Sequence, residues 1–208
     1  VGFYALCVRL AGRPAACVSL AISLFLLCSE NCWACATYSP WLFTSTFSQG
    51  LFYVSALALL RASTRDTRAD AVAAGLLAGL TFLSHTAPAI LLAVIALAIL
   101  KPRLWVPCGV AAAVVALPYA LAIAGHYHLK VVNPAPLHWE FGPLLPAAIP
   151  GTLRVNAHWV ALGLAGIAWH RSRLVLCWLV GSVMLMASSL TPFTIVPVLH
   201  FWIYVLAG

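Results

Sequence analysis

The sequence predicts an all-α fold, a polytopic bundle of transmembrane helices with one broken or re-entrant helix pair. Three observations carry that expectation. Hydrophobic residues make up 64% of the 208-residue chain and charged residues 7%, with a mean hydropathy of +1.04. A soluble domain is about a quarter charged, and surface-to-volume scaling would not let a chain this short hide so much apolar surface. Several apolar runs approach or exceed the ~20 residues that span a bilayer. The basic residues fall in short polar breaks between those runs. The net charge of +7 is therefore read as topogenic, and nucleic acid is excluded as a partner.

Apolar runs and their breaks give the elements in order. The first run, VGFYALCV, ends at Arg9. No basic stretch precedes it, so it is not a signal peptide. Pro14 opens a second run over 14–36, interrupted by Ser29, Glu30 and Asn31. A polar and aromatic stretch around Tyr38, Ser39 and Pro40 leads to a third span over 44–60, closed by RASTRDTRAD. The next apolar stretch, 71–100, is broken by Ser84, His85, Thr86, Ala87 and Pro88 and ends at Lys101, Pro102 and Arg103. A span over 104–125 precedes the longest polar segment, 126–156, whose prolines oppose a continuous helix. Spans over 157–169 and 174–190 flank His170, Arg171, Ser172 and Arg173, and a last one begins near Phe193. Both ends open inside apolar runs. The chain is therefore read as one transmembrane domain, 1–208, cut from a longer protein, with 126–156 as an extracytoplasmic loop.

Charge sets the expected topology. With Arg9 and Arg13 in the cytoplasm, alternation puts Arg61, Arg65 and Arg68 there too. The stretch 71–100 then admits two readings. One tilted span of 30 residues would carry Lys101 and Arg103 outside. Two half-helices turning at His85–Pro88 would return them to the cytoplasm. Each half has about 14 residues, about 21 Å of helix against a ~30 Å hydrocarbon core, so its backbone must be buried in protein or line a water-filled cavity. The hairpin is favoured, because it also puts Arg171 and Arg173 inside and leaves only Lys130 and Arg154 outside.

Intramembrane and outer-side ionisable groups are the functional candidates. Asp66 and Asp70 alternate with Arg65 and Arg68 and read as a solvated turn. Glu30, near the outer end of the second run, and Glu140, in the segment HWEFGP, are the candidate catalytic carboxylates. Glu140 shares the outer segment with His126, His128, His138 and, just beyond it, His158. A carboxylate among histidines suits acid/base work or a divalent metal, although the spacings match no standard zinc signature. Lys130 and Arg154 are suited to an anionic substrate such as a phosphate. His85, at the break in 71–100, and His200, in an aromatic setting, either satisfy local backbone groups or touch substrate. Cys28, Cys32 and Cys35 share one helical face, and Gly75 with Gly79 forms a Gly-x-x-x-Gly pair. Both patterns are read as helix packing.

The segment ADAVAAGLLAGLTFLSHTAPAILLAVIALAIL resembles a stretch of multi-pass glycosyltransferases of the GT-C type, including the mannosyltransferase-like and lipid A aminoarabinose transferase-like families. There a Gly-x-x-x-Gly helix runs into Thr, a basic or His residue and Pro, then a second apolar run. The matching residues are Gly75, Gly79, Ser84, His85 and Pro88, with Ala87 as an extra residue before the proline. YSPWLFTSTFSQGLFYVSALALLRAS resembles that family's outer loop and next helix, and VPVLHFWIYVLAG a late helix with a His before aromatics. The resemblance covers 38–100 and 192–208. It implies transfer of a sugar from a polyprenyl-phosphate-linked donor to an acceptor on the non-cytoplasmic face of a plasma or inner membrane, by an inverting mechanism. It also implies an acidic base in a first outer loop, which would precede Val1. Neither Glu30 nor Glu140 matches that motif. His85, His126, His128, Lys130, Arg154 and His200 are then the candidate substrate-binding residues, with membrane lipid and the lipid-linked sugar as partners. Two other classes remain open: a secondary transporter with a midplane site at the broken helix, and a membrane scaffold without an active site.

Overall fold

The computed structural model describes residues 1–21, 44–127, 161, 164–169 and 172–188. Every regular element among them is helical, in the order α1 (Gly2–Ala11), α2 (Arg13–Ala21), α3 (Thr44–Arg65), α4 (Arg68–Ser84), α5 (Thr86–Ile99), α6 (Pro102–Tyr127) and α7 (Arg173–Ser188). Residues 164–169 are also helical. The all-α expectation holds among these residues. One described helix, Pro102–His126 within α6, is long and apolar enough to cross a membrane.

Local chemistry explains each break. Gly12 sits at φ 87°, a left-handed conformation that a side chain would strain, and its N–H closes α1 on the Val8 carbonyl at 3.0 Å. The chain then reverses, and Tyr4 Oη lies 3.9 Å from Cys17 Sγ across the α1–α2 pair. Asp66 ends α3 at φ 57°, where Asp is tolerated, and its N–H bonds the Ala62 carbonyl at 2.9 Å. Thr67 caps α4: its Oγ1 accepts from the Asp70 N–H at 3.2 Å and donates to the Asp70 carboxylate at 2.6 Å. At His85 the backbone is extended (φ −165°, ψ 132°) for one residue. Pro88 falls in the first turn of α5, where the N–H it lacks has no helical acceptor anyway.

Asp66 decides the reading of 71–100. Lys101 Nζ lies 2.5 Å from Asp66 Oδ2, Arg103 also pairs with that carboxylate, and Ser63 Oγ donates to the Ile99 carbonyl at 2.9 Å. The start of α4 and the end of α5 therefore lie at the same end of the molecule. One continuous helix of that length would hold them about 45 Å apart, so the stretch is a helical hairpin with His85 at its tip. The break is narrower than the sequence suggested, one residue where five were read. α6 likewise begins sooner and runs further than its expected 104–125, taking His126 and Tyr127 out of the expected outer loop.

α6 rises beside α4 in parallel. A Cβ built on Gly75 would lie 2.1 Å from the Cys108 carbonyl oxygen, and one on Gly79 would lie 2.7 Å from Val115 Cβ and 2.8 Å from the Ala112 carbonyl oxygen. The glycine pair thus performs the close packing read from its spacing. On the other side, α3 packs antiparallel to α4, and Phe52, Tyr53, Leu59, Leu91, Leu92, Ile95, Leu174 and Trp178 fill the core between α3, α5 and α7. Phe52 and Trp178 rings stand 4.9 Å apart, Tyr53 and Trp178 6.3 Å, and Phe3 of α1 lies 5.2 Å from Tyr53.

These contacts also orient α7. Trp178 meets Phe52, about 16 Å of helix above Ser63, whereas Gly181 meets Leu91 and Val94, about 8–12 Å above Ile99. α7 therefore descends toward the Asp66 end, and Arg173 stands at the opposite end from Arg61, Arg65 and Arg68. This corrects the expected grouping of Arg173 with those cations. Charge counting is a bias on orientation and does not fix the direction of a helix that follows a long connection. Arg171 lies outside the described residues.

Candidate functional site

The two ends of the α4–α5 hairpin differ in chemistry. At its tip, His85 is half-buried and its N–H bonds the Thr81 carbonyl at 2.9 Å. Below it runs a seam of hydroxyls. Ser84 Oγ donates to the Thr81 carbonyl at 2.8 Å, while Thr81 Oγ1 and Ser55 Oγ each lie 2.8 Å from a carbonyl one turn back, Leu77 and Leu51. Ser55 Oγ and Thr81 Oγ1 also lie 3.0 Å apart, both side chains fully buried; each has one proton, so one of them donates across to the other, which donates to its own carbonyl, and the pair joins α3 to α4. Such bonds hold helices together where apolar surroundings give a lone hydroxyl no other partner. Two turns before Ser55, Ser48 Oγ is buried with no hydrogen-bond partner among the described residues. Gln49 Nε2 donates to Tyr53 Oη at 2.9 Å beside it. The tip therefore sets the half-buried His85 beyond a buried hydroxyl contact between α3 and α4.

His126 does not join this group. It lies exposed in the last turn of α6, with Nδ1 3.2 Å from the Ala122 carbonyl. The α4–α6 register pairs Gly75 with Cys108 and Ala111, and Gly79 with Ala112 and Val115. Extended, it sets His85 level with residues 118–121, so His126 stands about 8–12 Å further along. Pro118, inside α6 at that level, leaves the Val114 carbonyl without a helical donor.

The opposite end is a charge network. Asp66 takes Lys101 and Arg103, and Arg61 Nε lies 2.9 Å from Asp70 Oδ1. Hydrogen bonds from Lys101, then Arg103, hold the Asp66 carboxyl below its usual range, and the Thr67 hydroxyl does the same for Asp70. The solvated turn read from RASTRDTRAD is thus an ion-pair clasp that joins the start of α4 to the ends of α3 and α5.

Of the residues singled out from sequence, Glu30, Glu140, His128, Lys130, Arg154 and His200 lie outside the described residues, as do His138, His158, Cys28, Cys32 and Cys35. Among the described residues no three His, Cys, Asp or Glu side chains gather as a metal site would require. Sequence reading passed over the hydroxyl seam. Its signal was the spacing of Ser48 and Ser55, seven residues apart on one face of α3, which apolar flanks disguised as ordinary helix. The chain matches no protein-family model, no curated protein and no solved structure.

Proposed function

We propose that the chain is a multi-pass integral membrane domain and that it belongs to a glycosyltransferase of the GT-C kind, transferring a sugar from a polyprenyl-phosphate-linked donor on the non-cytoplasmic face. Support for the membrane reading comes from what faces outward. Val106, Val110, Val114, Leu117 and Leu121 line the exposed side of α6, with Leu76, Leu80 and Leu83 on α4 and Ile90 and Leu97 on α5. In water this would be a large exposed apolar surface, which monomeric soluble proteins rarely carry. In lipid it is the expected exterior. The clustering of Arg61, Arg65, Arg68, Lys101 and Arg103 at one end of α3–α6 supports a cytoplasmic position for that end.

One observation carries the transferase reading: the Asp66 clasp folds 71–100 back on itself and sets His85 about 21–25 Å from the charged end, across most of a ~30 Å core. Of the residues that carry the resemblance, Gly75 and Gly79 pack against α6, while Ser84, His85 and Pro88 lie at the tip, the end that a cytoplasmic position of the cations would put on the non-cytoplasmic side, where a lipid-linked sugar would be met. The imidazole there would donate a hydrogen bond to the donor phosphate as it departs. A midplane transport site fits less well, because the break lies beyond mid-depth.

The test uses the protein in lipid nanodiscs with radiolabelled polyprenyl-phosphate sugars. Retention of the lipid-linked sugar, reduced at least tenfold in His85→Ala, is the expected result. Absence of binding across hexosyl and pentosyl donors, with the folded protein confirmed by its melting curve, would remove the transferase reading. Extraction of the chain from membranes by alkaline carbonate would remove the membrane reading as well.

A further inference from the structure

A groove of about 640 Å³ runs along the outside of the α4–α6 pair, away from the hydroxyl seam. Its walls are Val72 and Leu76 on α4 and Val106, Val110 and Val114 on α6, and Pro107 and Ala111 form its floor. It exists because Gly75 and Gly79 draw the two backbones together, so that the larger side chains on either side stand up as ridges. Val106, Val110 and Val114 are 70%, 58% and 65% exposed, so no other described element covers them. Arg68 and Arg103 close the groove at the charged end.

We propose that this groove binds one phospholipid with an anionic headgroup, its phosphate between Arg68 and Arg103 and an acyl chain laid along the valine wall. Three features select this occupant. From Arg103 to Val114 the groove follows about 16 Å of helix, close to the ~15 Å of one leaflet of the hydrocarbon core. The charges stand only at the end where a headgroup would lie. That end carries Arg61, Arg65, Arg68, Lys101 and Arg103 against Asp66 and Asp70, a net charge of +3, which favours an anion over a zwitterion. Asp66 holds Arg103 in place, while Arg68 has no ion-pair partner among the described residues and is the freer of the two to meet a phosphate. The inference rests on the membrane reading above but not on the transferase reading, since this lipid would sit on the leaflet opposite to His85.

Native mass spectrometry of the purified chain in mild detergent, titrated with phosphatidylglycerol or phosphatidylcholine of identical chains, tests it. Phosphatidylglycerol is expected to be retained about tenfold more strongly. Arg68→Gln should lower that retention about fivefold, the worth of one cation near an anionic surface, and leave phosphatidylcholine unchanged. Val110→Trp, which fills the groove, should lower retention of both lipids. Arg65→Gln, at the same end but outside the groove, should change neither. Equal retention of the two lipids overturns the proposal, as does a loss in Arg65→Gln equal to that in Arg68→Gln, which would mean a diffuse basic surface. Competition by millimolar inorganic phosphate would reduce the site to an anion site without an acyl groove. Photo-crosslinking from Val110→benzoylphenylalanine to a polypeptide instead of a lipid would make the groove a protein interface. A chain released by carbonate would end the membrane reading, whereas an embedded chain without lipid selectivity would end only this one.

Discussion

The two flanks of the α3–α4–α5 core are packed by opposite means. On the α6 side, α4 brings almost no side chain to the contact: Gly75 and Gly79 let it rest against the backbone of Cys108 and Ala112. On the α7 side the space is filled by large rings, with Phe52, Tyr53 and Trp178 in tilted and edge-on contact. The difference teaches how helices associate when the surroundings are as apolar as the side chains. Association then depends on dispersion and on close approach, since little hydrophobic gain is left. Both a missing side chain and a very large one create extensive contact, and Leu and Ile fill the space between the rings and the neighbouring helices.

The comparison can be broken from either side. Phe52→Ala should do the most damage, about 3 kcal/mol, because it removes the ring that fills the space against Trp178 and leaves a cavity. The measurement is the shift in unfolding by denaturing detergent, and a cost below about 1 kcal/mol would mean that the rings are not the main cement of that flank. Gly75→Ala should cost about 2 kcal/mol by forcing the helices apart at the Cys108 carbonyl. Gly109→Ala, on the same helix pair but with nothing within 4 Å of the added carbon, should stabilise slightly through helix propensity. If the two alanines behave alike, the close approach of α4 and α6 is wrong.

Two smaller effects sharpen the contrast between packing and polar contacts. Thr81→Val keeps the shape but leaves Ser55 without its cross-helix partner. A loss of about 0.6–1.7 kcal/mol is expected, in the range of hydrogen bonds between helices in membranes, and an unchanged melting curve would show that the seam adds no stability. The smallest effect is the pH dependence of the clasp. Asp66 is held below its ordinary value of 3.8 by Lys101 and Arg103, so the folded state binds fewer protons than the unfolded one near that pH. Its contribution is therefore complete above the ordinary value and is lost as pH falls through the lowered one. Melting between pH 5 and 7 should be insensitive to this group, with a small decline below about pH 4 that Asp66→Asn reduces and that Asp66→Asn together with Asp70→Asn abolishes. A wild-type decline that survives in the double variant would locate the titration elsewhere.

Much of the fold was legible before any coordinates. The breaks between Arg9 and Pro14 and at 84–88 and the charged turn around Asp66 announce themselves through charge and proline, which act locally, whereas the roles of Gly12 and Thr67 were seen only in the structure. The glycine pair at 75 and 79 announced its packing role through spacing alone. The candidate site was far less legible. His85 was found because a histidine in an apolar run is conspicuous, but the seam beneath it was not, since single Ser and Thr residues are common in any helix and gain meaning only when two helices set them opposite one another. The groove was hidden for the same reason. Val72 and Leu76 belong to one helix and Val106, Val110 and Val114 to another, and no local pattern joins them.

The sequence by itself determined the helical class and, to within a few residues, the breaks on either side of α3, α4 and α5, because propensity and hydropathy act over a few residues. It also offered two routes for 71–100 without choosing firmly between them. Only the tertiary structure chose, through one carboxylate: Asp66 gathers Lys101 and Arg103 across 35 or more residues of chain, and that contact requires α5 to return beside α4. The direction of α7 was decided in the same way, by Trp178 against Phe52 and Gly181 against Leu91, and it moved Arg173 away from the other cations. Chain direction and pairing depend on contacts between distant residues, whose energies exist only once the helices have met.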